Sequence, residues 1–237
     1  MNTFLKILFL VIVCSSFIPN EKTKVYLIPG QGSDERIFSK ISFSDKYEVI
    51  PIKYEMPLKH ETMAAYAKRL SVQIKEQEGF ILIGISLGGM LATEIAEIKN
   101  PKQVIVISSA KNANELPDRY SFQRRWPVYK IVGPNLSKLG AQILQPIVER
   151  DRNKEKETFR AMLAAKDPLF LKRTIQMIVT WERTTNSNKI IHIHGTKDHT
   201  IPIRNVSYTH LIEGGSHMMA LTRADEISKI LEGVMGE

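Results

Sequence analysis

The 237-residue chain contains a single cysteine, Cys14, so no disulfide can close within it. It has no internal repeat, no low-complexity tract and no Pro/Gly/Ser-rich linker, and so offers no seam at which to divide it. Its conspicuous N-terminal apolar run, Ile7 to Cys14, is far shorter than the roughly 20 residues that span a bilayer. Nothing in it resembles a nucleic-acid-binding module, although the net charge is +8.

With 43% hydrophobic and 24% charged residues, the chain is long enough for one well-cored domain and short for two. The first 20 residues read differently from the rest. Lys6 precedes the apolar run, and Ser15 and Ser16 supply small residues ahead of Pro19 and Asn20, which is how a secretory signal peptide is built. Residues 1–20 are therefore expected to be a signal peptide cleaved near Ser15 or Ser16, with export to a periplasmic or extracellular space. An uncleaved anchor is one alternative. A second is lipidation at Cys14, because Val11-Ile12-Val13-Cys14 resembles a bacterial lipobox, although Val13 stands where that motif takes a small residue.

Residues 21–237 alternate between strand and helix patterns. Lys24 to Ile28, Tyr47 to Ile52, Phe80 to Ile83, Gln103 to Ser108, Lys189 to His194 and Tyr208 to Ile212 read as strands. Helical spacing of apolar residues marks His60 to Gln77, Met90 to Lys99 and Ala224 to Val234. Such alternation predicts an α/β architecture, a mostly parallel sheet with helices on both faces. One segment departs from it, since about 112–188 separates two strands by far more than an ordinary connection. Phe159, Met162 and Leu163, then Leu169, Phe170, Ile175, Ile178 and Val179, predict amphipathic helices there, the second started by Asp167-Pro168. This insertion is expected to cap a site at the strand ends, with Phe122, Trp126, Met177 and Trp181 as candidates either for the pocket or equally for the core.

The candidate chemistry starts at Gly84-Ile85-Ser86-Leu87-Gly88, which follows an apolar strand and opens into a helix. A serine lifted on a tight strand-to-helix turn needs small residues on either side of it, which marks Ser86 as a candidate nucleophile. By itself the pentapeptide is a weak signal. A serine nucleophile also needs a base, and the base needs a carboxylate to fix its tautomer. Asp198 follows the strand Lys189 to His194, and His217 follows the next strand. Ligands on parallel sheets bind at the carboxyl ends of strands, where all three residues are placed.

The chain from Val25 onward resembles the α/β-hydrolases, in which nucleophile, acid and histidine occur in this order. Gly84 to Gly88 resembles the nucleophile elbow, His194-Gly195-Thr196-Lys197-Asp198 with Pro202 the acid turn, and Glu213 to His217 the histidine loop. The resemblance implies Ser86 as nucleophile, His217 as general base and acid, and Asp198 as the residue that orients it. Two backbone N–H groups are needed for an oxyanion. Leu87 is expected to supply one and Gln31 the other, from the turn Pro29-Gly30-Gln31-Gly32, which has Pro29 where the family commonly has histidine. The stretch from Asp198 to His217 is short for the family and leaves little room for a crossover helix.

The expected substrate is a small-molecule carboxylic ester or similar acyl compound, cleaved through an acyl-enzyme, with no metal and no organic cofactor. His192 and His194 have a spacing that can chelate a metal from one strand face, but no cysteine or acidic cluster accompanies them, and a histidine before this glycine is common in the family. His199 and His210 read as structural or solvent-facing. Two other readings stay open. One is another chemistry on the same triad, thioesterase or lyase, the latter because Gly215 to Leu221 resembles the histidine loop of the plant methylesterase and hydroxynitrile-lyase group, whose related sites hydrolyse esters or break carbon-carbon bonds, although Gly84-Ile85 stands where that group usually has Gly-His; the other is a non-catalytic binding module. Lys111 to Lys189 holds sixteen Lys/Arg against eight Asp/Glu and the remainder seventeen against seventeen, so the insertion carries the whole positive excess. A basic cap suits peripheral association with an anionic membrane surface.

Overall fold

In the computed structural model, residues 22–136, 138–140, 142 and 154–236 are described. The expected leader, with Cys14, Ser15 and Ser16, lies outside them, as does part of the insertion. The described residues form one six-stranded sheet: β1 (Thr23–Ile28), β2 (Tyr47–Pro51), β3 (Ile81–Ile85), β4 (Gln103–Ile107), β5 (Ile190–Gly195) and β6 (His210–Ile212). The strand order is β2-β1-β3-β4-β5-β6, and every neighbouring pair is parallel.

Strand periodicity divides the core in two. Tyr26, Ile28, Leu82, Val104 and Val106 face one layer, which includes α1 (Met63–Leu70) and α2 (Leu87–Ala96). Val25, Leu27, Ile81, Ile83, Ile105, Ile107 and Ile193 face the other, against the short α7 (Met219–Thr222) and α8 (Ala224–Met235). With both faces covered, the central strands read as unbroken apolar runs, and β3 is buried at every residue.

One connection differs from expectation and another follows it. The segment read as a helix over His60 to Gln77 is α-helical only over Met63–Leu70, where Thr62 caps the start by accepting from the Ala65 N–H, and it tightens to a 3-10 turn at Ser71–Gln73. Between β5 and β6 there is no α-helix, only the 3-10 turn Ile203–Asn205, yet the two strands pair in parallel. Between β4 and β5 lie α3 (Asp118–Arg125), α4 (Val128–Ile131), α5 (Lys156–Ala165) and α6 (Pro168–Val179). The last begins as its sequence suggests, with Asp167 accepting from the Leu169 N–H and Pro168 in the first turn.

Candidate active site

The strand order reverses between β1 and β3, since the chain runs outward from β1 to β2 and then returns to place β3 on the other side of β1. Such a switch point opens a crevice beyond the carboxyl ends of the two strands. Two segments singled out from the sequence line it, the turn after β1 and Ser86 after β3.

Ser86 sits between β3 and α2 with φ +52° and ψ −119°, a conformation that L-residues rarely adopt. Neighbouring backbone holds it there. The Ser86 N–H donates to Ile107 O at 3.0 Å, and Ser86 O accepts from the Gly89 N–H at 2.9 Å and Ser109 Oγ at 2.7 Å. The glycines on either side are required by close approach. A Cβ on Gly84 would lie 2.2 Å from Gly88 O, and one on Gly88 would lie 2.0 Å from Ile28 O. Strand, elbow and helix therefore pack backbone to backbone, and the strained serine cannot relax without undoing that packing.

Asp198 and His217 come from adjacent loops after β5 and β6. A Cβ on Gly195 would stand 2.2 Å from Gly215 O, so the loops meet at contact distance. The Lys197 N–H donating to Gly215 O at 2.8 Å ties them together. His217 Nδ1 is 2.8 Å from Asp198 Oδ2, and His217 Nε2 is 2.9 Å from Ser86 Oγ. All three side chains are thus brought into one hydrogen-bonded line. Asp198 is 3% exposed, and its second oxygen accepts from the Ile201 N–H at 2.7 Å. Burial alone would raise its carboxyl, but the charge and hydrogen bond of His217, then His194 and the Ile201 N–H, outweigh burial and hold it below the usual carboxylate range. An ionised Asp198 accepts from Nδ1–H, which leaves the lone pair of Nε2 facing the Ser86 hydroxyl. In this arrangement the imidazole can take the hydroxyl proton.

The turn after β1 passes beside the serine, with a Cβ on Gly30 falling 3.5 Å from Ser86 Cβ. Half-buried Tyr54 holds the turn by donating to Pro29 O at 2.5 Å, and desolvation of its hydroxyl pushes it well above its ordinary pKa. The side chain of Gln31 reaches into α6, where Nε2 donates to Leu171 O at 3.0 Å and Thr174 Oγ1 at 2.8 Å. Leu87 is the first residue of α2, so its N–H is one of the amides at that helix's N-terminus.

A cavity of about 430 Å³ lies over Ser86 and His217. Phe159 from α5, Ile178 from α6, Tyr120 from α3 and Met90 from α2 give it an apolar wall, and Arg119 and His199 add polar groups. None of the four pocket candidates lines it. Met177 is fully buried in the core beneath the cap, and Trp181 donates its indole N–H to Glu94 Oε1 at 2.6 Å. Arg183 completes that cluster with bonds of 2.8 and 2.7 Å to the two oxygens of buried Glu94. Phe122 and Trp126 are each 60% exposed and are not among the residues that line the cavity. Helical periodicity identified Phe159 and Ile178 as inward-facing but could not separate core from cavity. His199, read as structural or solvent-facing, is exposed and also borders the cavity. His192 and His194 lie fully buried behind Asp198.

Solved structures superimpose over nearly the whole chain. An enol-lactonase from Burkholderia xenovorans LB400 matches with a TM-score of 0.70 at 15% identity, covering 91% of this chain and 92% of that one. The chain has the α/β-hydrolase fold. A thermophilic esterase from Thermogutta terrifontis matches with a TM-score of 0.68 at 17% identity, covering 90% and 89%. An esterase from Exiguobacterium antarcticum matches with a TM-score of 0.62 at 15% identity, covering 92% and 93%. Residues 39–129 match an uncharacterised protein family, UPF0227; that stretch includes Ser86 and ends before Asp198 and His217. No curated protein sequence matches the chain. The α/β-hydrolase fold accounts for the parallel sheet, for the place of the elbow and for the helices over it.

Proposed function

We propose that this protein is a serine hydrolase that cleaves a carboxylic ester or similar acyl bond through an acyl-enzyme. The observation that carries the reading is the line from Ser86 Oγ to His217 Nε2 at 2.9 Å and from His217 Nδ1 to Asp198 Oδ2 at 2.8 Å, ending in a cavity. Ser86 attacks the acyl carbon while His217 takes its proton. The carbonyl π electrons move onto oxygen, and the N–H groups of Leu87 and Gln31 receive the resulting oxyanion. Its collapse expels the alcohol, to which His217 returns the proton. Water, deprotonated by His217, then releases the acid and restores Ser86. The apolar wall of the cavity suits an acyl chain, and the esterase and lactonase activities named for the structural neighbours belong to the same bond-breaking class.

Labelling with a fluorophosphonate tests this directly, because the probe phosphonylates an activated serine. The wild-type chain is expected to label and Ser86→Ala to lose labelling by at least about a thousandfold while its melting temperature stays within about 2 °C. A folded wild-type chain that does not label would overturn the reading.

A further inference from the structure

Behind Asp198 stand two side chains that the proposed reaction does not use. His192 and His194 are two apart on β5 and so point to one face of the sheet, where both are fully buried with ring centroids 4.9 Å apart. His192 Nδ1 lies 3.0 Å from Ser207 O, and His194 Nε2 lies 2.9 Å from Ile201 O. A carbonyl oxygen only accepts, so each of these outer nitrogens carries a proton. The inner nitrogens, His192 Nε2 and His194 Nδ1, face each other at 3.1 Å.

Proton counting decides the state of the pair. Two neutral imidazoles hold two N–H protons, and the two carbonyls take both. The inner contact would then set lone pair against lone pair in a site without water-like screening. One additional proton turns it into an N–H···N hydrogen bond. We infer that His192 and His194 form a singly charged pair, with three protons on four nitrogens, whose positive charge lies beside Asp198 and opposes protonation of His217. This second effect rests on the Ser86–His217–Asp198 reading; the proton count does not.

The surroundings set what the pair can hold. His194 Nε2 is 3.7 Å from Asp198 Oδ2, so a carboxylate stands beside the shared charge. Glu115 also favours a charge on the pair, whereas Lys111 and His217 oppose it. Burial pushes both rings down, His192 to about 3, with the neighbouring ring's charge adding to the effect on His192. The pair therefore never carries two charges near neutral pH. A single charge is spread over two rings and has a counterion within ion-pair distance. Asp198 then lies between a cationic pair and His217, and an imidazolium at His217 would share one carboxylate with a charge already present. The pair is a positioning and charge-setting device: it makes His217 a weaker base and a stronger acid, which keeps His217 neutral at lower pH.

Nuclear magnetic resonance on the full wild-type chain, with histidine ring nitrogens labelled with nitrogen-15, reads the proton count whether or not the protein hydrolyses anything. Near pH 7 the expected result is three N-bound protons on the pair, the third on or shared between the inner nitrogens. Two unprotonated inner nitrogens would overturn the charged pair. In parallel, the rate of fluorophosphonate labelling is followed against pH. Loss of the charge in His194→Gln is expected to move the acid limb upward by about one pH unit. An unmoved limb in folded His194→Gln, with His192→Gln as a second variant, would overturn the effect on His217. Failure of the wild type to label at any pH would instead defeat the hydrolase reading and leave the proton count standing.

Discussion

Ser86 is held in a strained conformation by bonds to Ile107, Gly89 and Ser109, and its flanking glycines touch backbone on both sides. In the cap, α3 and α4 bury none of their residues, and Phe122 and Trp126 stand 60% exposed. The rim of the sheet is thus held by backbone in close contact, whereas the first helices of the cap are held by a few side chains, Tyr120 packed on the core and Arg124 donating to Val179 O and Trp181 O. The contrast separates two properties of the molecule. Placement of Ser86 follows from the same backbone contacts that build the sheet, whereas the exposed side chains of α3 and α4, Phe122 and Trp126 among them, can vary with little cost in stability.

The contrast can be broken at the rim by Gly88→Ala. The added methyl would meet Ile28 O at 2.0 Å, with backbone on both sides and no flexible side chain to yield. Urea unfolding is expected to show a loss of about 3 kcal/mol or more; tolerance of the change would mean that the elbow is not held as described. At the inner wall of the cap, Phe159→Ala enlarges the cavity beside Ser86. In a series of acyl esters of graded length, the ratio of kcat/KM between long and short acyl chains is expected to rise by about tenfold. An unchanged ratio would place the acyl chain elsewhere in the cavity. The smallest effect is expected at Trp126→Ala, where stability should change by no more than about 0.5 kcal/mol. A cost of several times that amount would show that Trp126 is packed against something, and would weaken the contrast from the cap side.

What was legible in the sequence follows the same division. Each strand of the sheet is a short apolar run bounded by turn residues, and the glycines of the elbow and histidine loop are readable because close backbone approach admits nothing larger. Asp198 and His217 could be located because each stands in a turn immediately after a strand. The cap was legible only as helices. Periodicity reports that Met162, Ile178 and Phe159 point inward, but core and cavity walls are equally apolar. Trp181 was left open between pocket and core because its partner, Glu94, lies 87 residues away on α2, a separation that no local pattern spans. The missing helix between β5 and β6 had a local sign in the shortness of that connection. The proton count of His192 and His194 had none, since it depends on which carbonyls, Ser207 and Ile201, fold back onto the rings.

The Glu94 cluster links these two unlike regions mechanically. Glu94 belongs to the helix whose first turn follows Ser86, and Trp181 and Arg183 belong to the chain leaving α6. The far end of the cap and the helix that follows Ser86 therefore share one anchorage. If α6 swung away, a buried carboxylate would lose its guanidinium and indole partners together, a change that costs several kcal/mol. Arg124 of α3 adds to the same anchorage by donating to Val179 O and Trp181 O at 2.9 Å each, so the start and the end of the cap are tied at one point.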